Sequence, residues 1–234
     1  MRRTLVALAA LAVAAPLSAQ MPGMGSDPTK TIVGSGELPT GWMMRFDPPR
    51  RAGAPIPAPT AVSVVTEGNG YHVKSGPAAI YYNTAKPVKG NYTVSATFSQ
   101  PRTMKHEAYG LVIGGDHLQD STQSYLYFVV RPMDGGVLIN HRNGDDAKKI
   151  VKLVDWTPNV SVNKDDPTTG AATNQLTIRV ARDSVHFWAN GAQVKSFSRA
   201  ELQSQGVSLD GMAGIRVNHN LDLQVDALTI KQDK

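Results

Sequence analysis

Between Gly90 and Asp146 the chain is a series of turn-bounded segments in which side-chain character repeats every second residue. In the first of them Tyr92, Val94, Ala96 and Phe98 alternate with Thr93, Ser95, Thr97 and Ser99. An extended backbone sends successive side chains to opposite faces, so this segment has one apolar side and one polar side. That is the signature of a half-buried strand in an antiparallel sheet. EAYGLVIGGD, QSYLYFVVRP and GGVLINHRNGDD follow in the same manner.

The punctuation beyond this block is regular as well. Asn69-Gly70, Asn143-Gly144 and Asn190-Gly191 each stand between extended segments, and Asn-Gly suits a tight hairpin because both residues tolerate positive φ. NQLTIRVARDSVHFWANGAQVKSF predicts three strands in series, turning at Asp183-Ser184 and again at Asn190-Gly191. In LDLQVDALTI the apolar residues switch from odd positions (Leu221, Leu223, Val225) to even ones (Leu228, Ile230), which predicts a one-residue bulge near Asp226-Ala227. Helix character is confined to SRAELQSQG, with Ser198 as cap, Glu201 three residues on and Gly206 as stop. About a dozen strands without intervening helices imply an all-β fold, a two-sheet antiparallel β-sandwich with one short helix.

The first twenty residues have another character. Met1-Arg2-Arg3, an apolar run from Leu5 to Leu17, and Ser18-Ala19-Gln20 follow the order of a secretory signal cleaved near Ala19 or Gln20. The run is too short to span a bilayer, so a secreted or periplasmic protein with no membrane span is expected. Residues 21–38, rich in Gly, Pro and Ser, read as a flexible leader, and 39–234 as the sandwich domain. DPPRRAGAPIPAPT is expected to form a stiff surface loop or lid over one edge. Without cysteine the fold rests on packing alone. Losing Arg2 and Arg3 lowers the formal charge of +5 by two, and the remaining cations are scattered, so no nucleic-acid partner is expected.

The order AYGLVIGG, SYLYFVVR, GGVLINHRNG, NQLTIRVARDSVHFWANGAQV, GMAGIRVNHN and LDLQVDALTI resembles the concanavalin A-like lectin/glucanase jelly roll. Within that superfamily it is most similar to laminin-G-like modules and to bacterial 3-keto-disaccharide hydrolase-type domains. The resemblance covers roughly residues 61–234 and implies two curved antiparallel sheets, with glycans bound across the concave face in sugar-active members. Gly214-Ile215-Arg216-Val217-Asn218-His219 and Val225-Asp226-Ala227-Leu228-Thr229-Ile230 look like the closing strands of the hydrolase-type domains, with a polar group where His219 stands. The Glu-x-Asp-x-x-Glu run of laminarinase-type enzymes and the Gln-Ile-His motif of alginate-lyase-type members are absent.

Candidate site residues follow from parity. Tyr125, Tyr127 and Arg131 share one strand face, Asn140 and Arg142 another, and Arg216 and Asn218 a third. Aromatic rings stack on sugar C–H faces while Arg and Asn satisfy hydroxyls, so these seven are the expected ligand-binding set. Trp156 and Trp188 are further candidates for the same groove. No catalytic residue is assigned beyond His219 as a proton-transfer candidate. Most acids stand in turns; Glu107, Asp155, Asp222 and Asp226 lie in or beside extended segments. No cofactor is expected, with calcium at Asp116 and Asp120 of GGDHLQD as the one metal the loop chemistry allows. The leading expectation is an exported module that binds saccharide on its concave sheet. The alternatives are a glycoside-active hydrolase resembling the 3-keto-disaccharide hydrolases, and a structural or protein-interaction module. The sequence leaves the oligomeric state open.

Overall fold

A computed structural model describes residues 31–49, 53–101 and 107–233. The expected signal over 1–20 and the start of the leader lie outside these residues. In chain order the strands are β1 (Trp42–Phe46), β2 (Val62–Glu67), β3 (Gly70–Ser75), β4 (Ala79–Asn83), β5 (Tyr92–Gln100), β6 (Tyr109–Asp116), β7 (Ser124–Arg131), β8 (Gly136–Asn143), β9 (Val151–Pro158), β10 (Ala172–Val180), β11 (Ser184–Ala189), β12 (Ala192–Ser198), β13 (Met212–Val217) and β14 (Leu221–Gln232). One helix, α1 (Arg199–Ser204), joins β12 to the last strand pair.

Two seven-stranded sheets result, ordered β1-β4-β13-β6-β7-β8-β9 and β12-β11-β10-β5-β14-β3-β2, with every pairing antiparallel. In β5 the residues Tyr92, Val94, Ala96 and Phe98 are fully buried and their neighbours half-exposed, as the alternation requires. The inward faces meet in one core. Phe98 stacks on Tyr109 across the sheets with ring centroids 5.0 Å apart, and Phe128 meets Phe187 edge-on at 5.6 Å. The polar tips inside that core are bonded: Tyr81 shares a 2.8 Å hydrogen bond with Ser75, and Asn174 Nδ2 donates to the Tyr109 hydroxyl at 3.1 Å.

Local chemistry sets several of the connections. Asn190-Gly191 turns β11 into β12 with both residues at positive φ, 51° and 81°. The first hairpin differs from expectation, because its two-residue turn is Gly68-Asn69, with Gly68 at φ 57°, and Gly70 already pairs with Glu67. The expected bulge is present in β14: Ala227 sits at φ 49° and the register against β5 shifts between Asp226 and Thr229. Along 31–38 the leader is not free chain. Gly36 N donates to the Val62 carbonyl and Val64 N to the Glu37 carbonyl, each at 2.8 Å, so this stretch is tied along β2.

Helix α1 starts where the cap signal places it, with Ser198 Oγ accepting from Glu201 N at 3.1 Å. Ser198→Ala removes the acceptor for one of the orphan N–H groups of the first turn. It is expected to cost about 1 kcal/mol, measured as a shift in urea midpoint.

Candidate functional site

The sheet containing β7 and β8 is covered on both sides. Its inner face enters the core, and its outer face carries a second apolar cluster that includes Ile80, Tyr82, Val112, Tyr127, Val129 and Leu138. The outer face expected to be polar is therefore apolar over much of its area, with a polar strip alongside. Above it lies a groove of about 670 Å³, within the usual range for ligand clefts. Prolines 48, 49, 55 and 57 stand on one side, residues 145–148 with Ile150 on another, and Asp47, Tyr127, Leu138, Arg142, Trp156, Arg216, Asn218 and His219 are among the rest of the lining. The described prolines of this segment thus edge the groove with backbone of restricted φ.

Four of the seven expected ligand residues, Tyr127, Arg142, Arg216 and Asn218, line this groove. Tyr125 and Asn140 lie on the same face but serve as support. Arg216 Nη1 donates to the Tyr125 hydroxyl at 3.3 Å, and Asn140 Nδ2 donates to the Tyr127 hydroxyl at 3.0 Å. Burial pushes the Tyr125 phenol up to about 12, the Arg216 charge offsetting only part of this, so the hydroxyl stays protonated. Arg131 is engaged elsewhere: its Nε and Nη2 donate to the Asp134 carboxylate at 3.0 and 2.5 Å. Its guanidinium lies 4.2 Å from the centre of the Trp156 ring, so it backs the groove indirectly through that ring. Trp188 is on the other sheet, stacked on His186, and has no part in the groove.

The centre of the site is a residue that sequence reasoning passed over. Asp47, directly after β1, accepts two parallel hydrogen bonds from Arg216, at 2.8 Å from Nη1 and 2.6 Å from Nη2. Arg142 Nη2 stands 3.7 Å from the same carboxylate. Burial alone would raise Asp47, but the Arg216 charge and hydrogen bonds, with Arg142 and His219 behind them, lower it to about 2. Burial would likewise lower Arg216, yet Asp47, Tyr125 and Tyr127 outweigh it and hold the guanidinium charged. Arg216 also lies over the Tyr127 ring at 4.7 Å. To reach both tyrosines of β7 it must cross β6, and the residue opposite it there is Gly110. A Cβ at Gly110 would fall 2.0 Å from the Phe128 carbonyl oxygen, so only glycine allows this close strand approach.

His219 is at the rim, its side chain 54% exposed. Its backbone N–H donates to Glu107 Oε2 at 2.9 Å, and its Nδ1 is 3.6 Å from the same oxygen. Asp116 and Asp120 lie away from the groove and are exposed beside His117. Asp120 Oδ1 accepts from both the backbone N–H and the hydroxyl of Thr122, which is ordinary turn chemistry. Among the described residues no group of three or more His, Cys, Asp or Glu comes together as a metal cage, and no helix is long and apolar enough to cross a membrane. Of the acids in or beside extended segments, Asp222 meets His72 Nε2 at 2.5 Å and Asp226 accepts from Gln224, both in the other sheet, while exposed Asp155 pairs with Lys152.

No family model matches the sequence, and no curated protein is similar to it in sequence. Solved structures do match in shape. The carbohydrate-binding module CBM66 from Bacillus subtilis aligns with a TM-score of 0.57 at 11% identity, covering 84% of this chain and 98% of that one. A Bacillus subtilis protein of unknown function with a galectin-like fold gives 0.52 at 12% identity, over 82% and 90% of the two chains. A GH16 protein of Bacteroides ovatus, in complex with a mixed-linkage glucan product, gives 0.50 at 10% identity, over 79% and 81%. At such identities the likeness speaks for architecture alone, and it agrees with the strand order above: the chain folds as an antiparallel two-sheet jelly-roll sandwich, as these domains do.

Proposed function

We propose that this protein is an exported glycan-binding module that holds saccharide in the groove on the outer face of the β7–β8 sheet. The observation that carries the reading is the composition of that groove. Trp156 and Leu138 offer apolar surface beside Arg142, Arg216 and Asn218, and saccharides need this mixture because their C–H faces are apolar and their edges are rings of hydroxyls. The indole is already backed by Arg131 on one side. Carbohydrate-binding function in a structural neighbour, CBM66, supports the same reading. The apolar run at the N-terminus supports export.

A hydrolase has one observation in its favour, the His219–Glu107 pair at the rim. Glycosidases need one carboxyl kept protonated near neutral pH. Asp47, the carboxylate at the centre of the groove, is held near 2 and stays ionised, so it cannot donate a proton. The mixed apolar and polar lining favours binding over the hydrolase reading.

A glycan array followed by calorimetry on the signal-free protein tests it. Binding to at least one glycan is expected, and Trp156→Ala is expected to weaken it by about ten-fold or more through loss of the stacking surface. Absence of any glycan binding at millimolar concentration would end the saccharide reading. Turnover of a 3-keto-glycoside that disappears in His219→Ala would replace it with the hydrolase.

A further inference from the structure

The floor of the groove holds two cations and one anion. Arg142 and Arg216 are both buried, their side chains 5% and 7% exposed. Asp47 is the carboxylate between them, and both of its oxygens are committed to Arg216. Arg142 approaches Asp47 only at 3.7 Å, makes one long hydrogen bond of 3.5 Å to the Gly144 carbonyl, and its Nε has no acceptor. A guanidinium carries five donors in a fixed fork and does not shed its charge. Buried with so few acceptors, it is strongly under-compensated.

The other charges on the walls do not restore the balance. Asp145 accepts from Arg45 at 2.9 and 3.1 Å and from Gln123 at 2.5 Å, so its charge is already answered. Asp146 is exposed and caps the backbone N–H of Lys148, whose own ammonium adds positive charge at the lip. Asn218, just after β13, lines the same groove and carries no charge.

We infer that the saccharide taken by this groove bears a carboxylate, as a uronic acid residue does. The carboxylate seats against the Arg142 guanidinium where that side chain lines the groove. The planar carboxylate matches the planar fork of arginine, and its charge turns an array of two cations and one anion into two of each. Asp47 remains on Arg216. The inference rests on the saccharide reading above and narrows it to one substrate class.

The test is calorimetry on the signal-free protein with trigalacturonate, trimannuronate and a glucuronate-containing disaccharide, each paired with its carboxyl-reduced neutral form. At least one acidic member is expected to bind about ten-fold or more tighter than its reduced partner, with an affinity that falls as salt is raised. Arg142→Gln is expected to erase that preference, and Arg142→Lys, which keeps the charge but loses the fork, to leave part of it. Circular dichroism checks that each variant folds, and the paired comparison on the unaltered chain decides the matter even where a variant does not. Equal binding of acidic and neutral partners, or binding of neutral glycans alone, overturns the carboxylate while leaving the saccharide reading in place. An acidic preference that persists in folded Arg142→Gln removes Arg142 from the site. If no glycan of either kind binds, the saccharide reading fails first.

Discussion

Asp47→Asn is expected to destabilise the domain by about 2–4 kcal/mol, seen as a lower urea midpoint at unchanged slope. The asparagine keeps the shape but removes the charge that Arg216 and Arg142 share. Two buried guanidinium groups then face each other with no anion between them. The effect falls somewhat below that for a fully enclosed ion pair because a quarter of the Asp47 side chain is exposed, where water screens it. The same residue sets a pH dependence. Its carboxyl lies near 2 in the folded protein against an ordinary 3.8, so the unfolded chain takes up the proton first as pH falls. The stabilisation is fully present above about pH 4 and is lost as pH drops toward 2, on the order of 2 kcal/mol in all. Urea titrations between pH 6 and pH 2 should show that loss in the parent protein and not in Asp47→Asn. Equal slopes in the two would mean that other carboxylates carry the acid sensitivity.

The second large effect is in the core. Phe187 is fully buried and touches Phe128 of the facing sheet at 5.6 Å and Phe197 of the neighbouring strand at 6.0 Å, both edge-on. Phe187→Ala deletes the ring that joins the two sheets at this point. It is expected to cost about 3–5 kcal/mol, the range for a buried aromatic cut to alanine, and to lower the melting temperature by on the order of 10 °C in a domain of this size. Trp188→Ala, one residue along and pointing out of the sandwich, serves as the control and should move the transition much less. Comparable losses at both positions would contradict the inward and outward assignment of β11.

Parity was the legible part of this protein. It placed Tyr92, Val94, Ala96 and Phe98 inward, expected the bulge near Asp226-Ala227, and paired Tyr125 with Tyr127, Asn140 with Arg142 and Arg216 with Asn218 on a face of each strand; that the three faces adjoin came only from the sheet order. Parity says which side a residue faces but not how far its side chain reaches or what reaches it first. Arg131 shows this: it has the right face, yet Asp134 three residues later captures its guanidinium. That partner was visible in the turn sequence and could have been weighed. Asp47 was not legible in the same way. It precedes two prolines in a segment without periodicity, and its partner Arg216 is 169 residues away, so only the tertiary structure joins them. The apolar character of the outer face was also obscured, since a strand buried on both sides gives a continuous apolar run with no phase to read.

The strand order has one more consequence. The groove takes Asp47 from the end of β1, Tyr127 from β7, Arg142 from β8 and Arg216 from β13, and β13 lies between β4 and β6. A nascent polypeptide therefore has no such receptor until β13 has threaded between β4 and β6, strands made long before. Pairings of such long loop span form slowly, and occupancy at one spot is linked to cooperative melting of the entire sandwich. Whatever ligand settles there protects distant β11 from proteolysis as firmly as the strands it touches, through mass action on the global unfolding equilibrium.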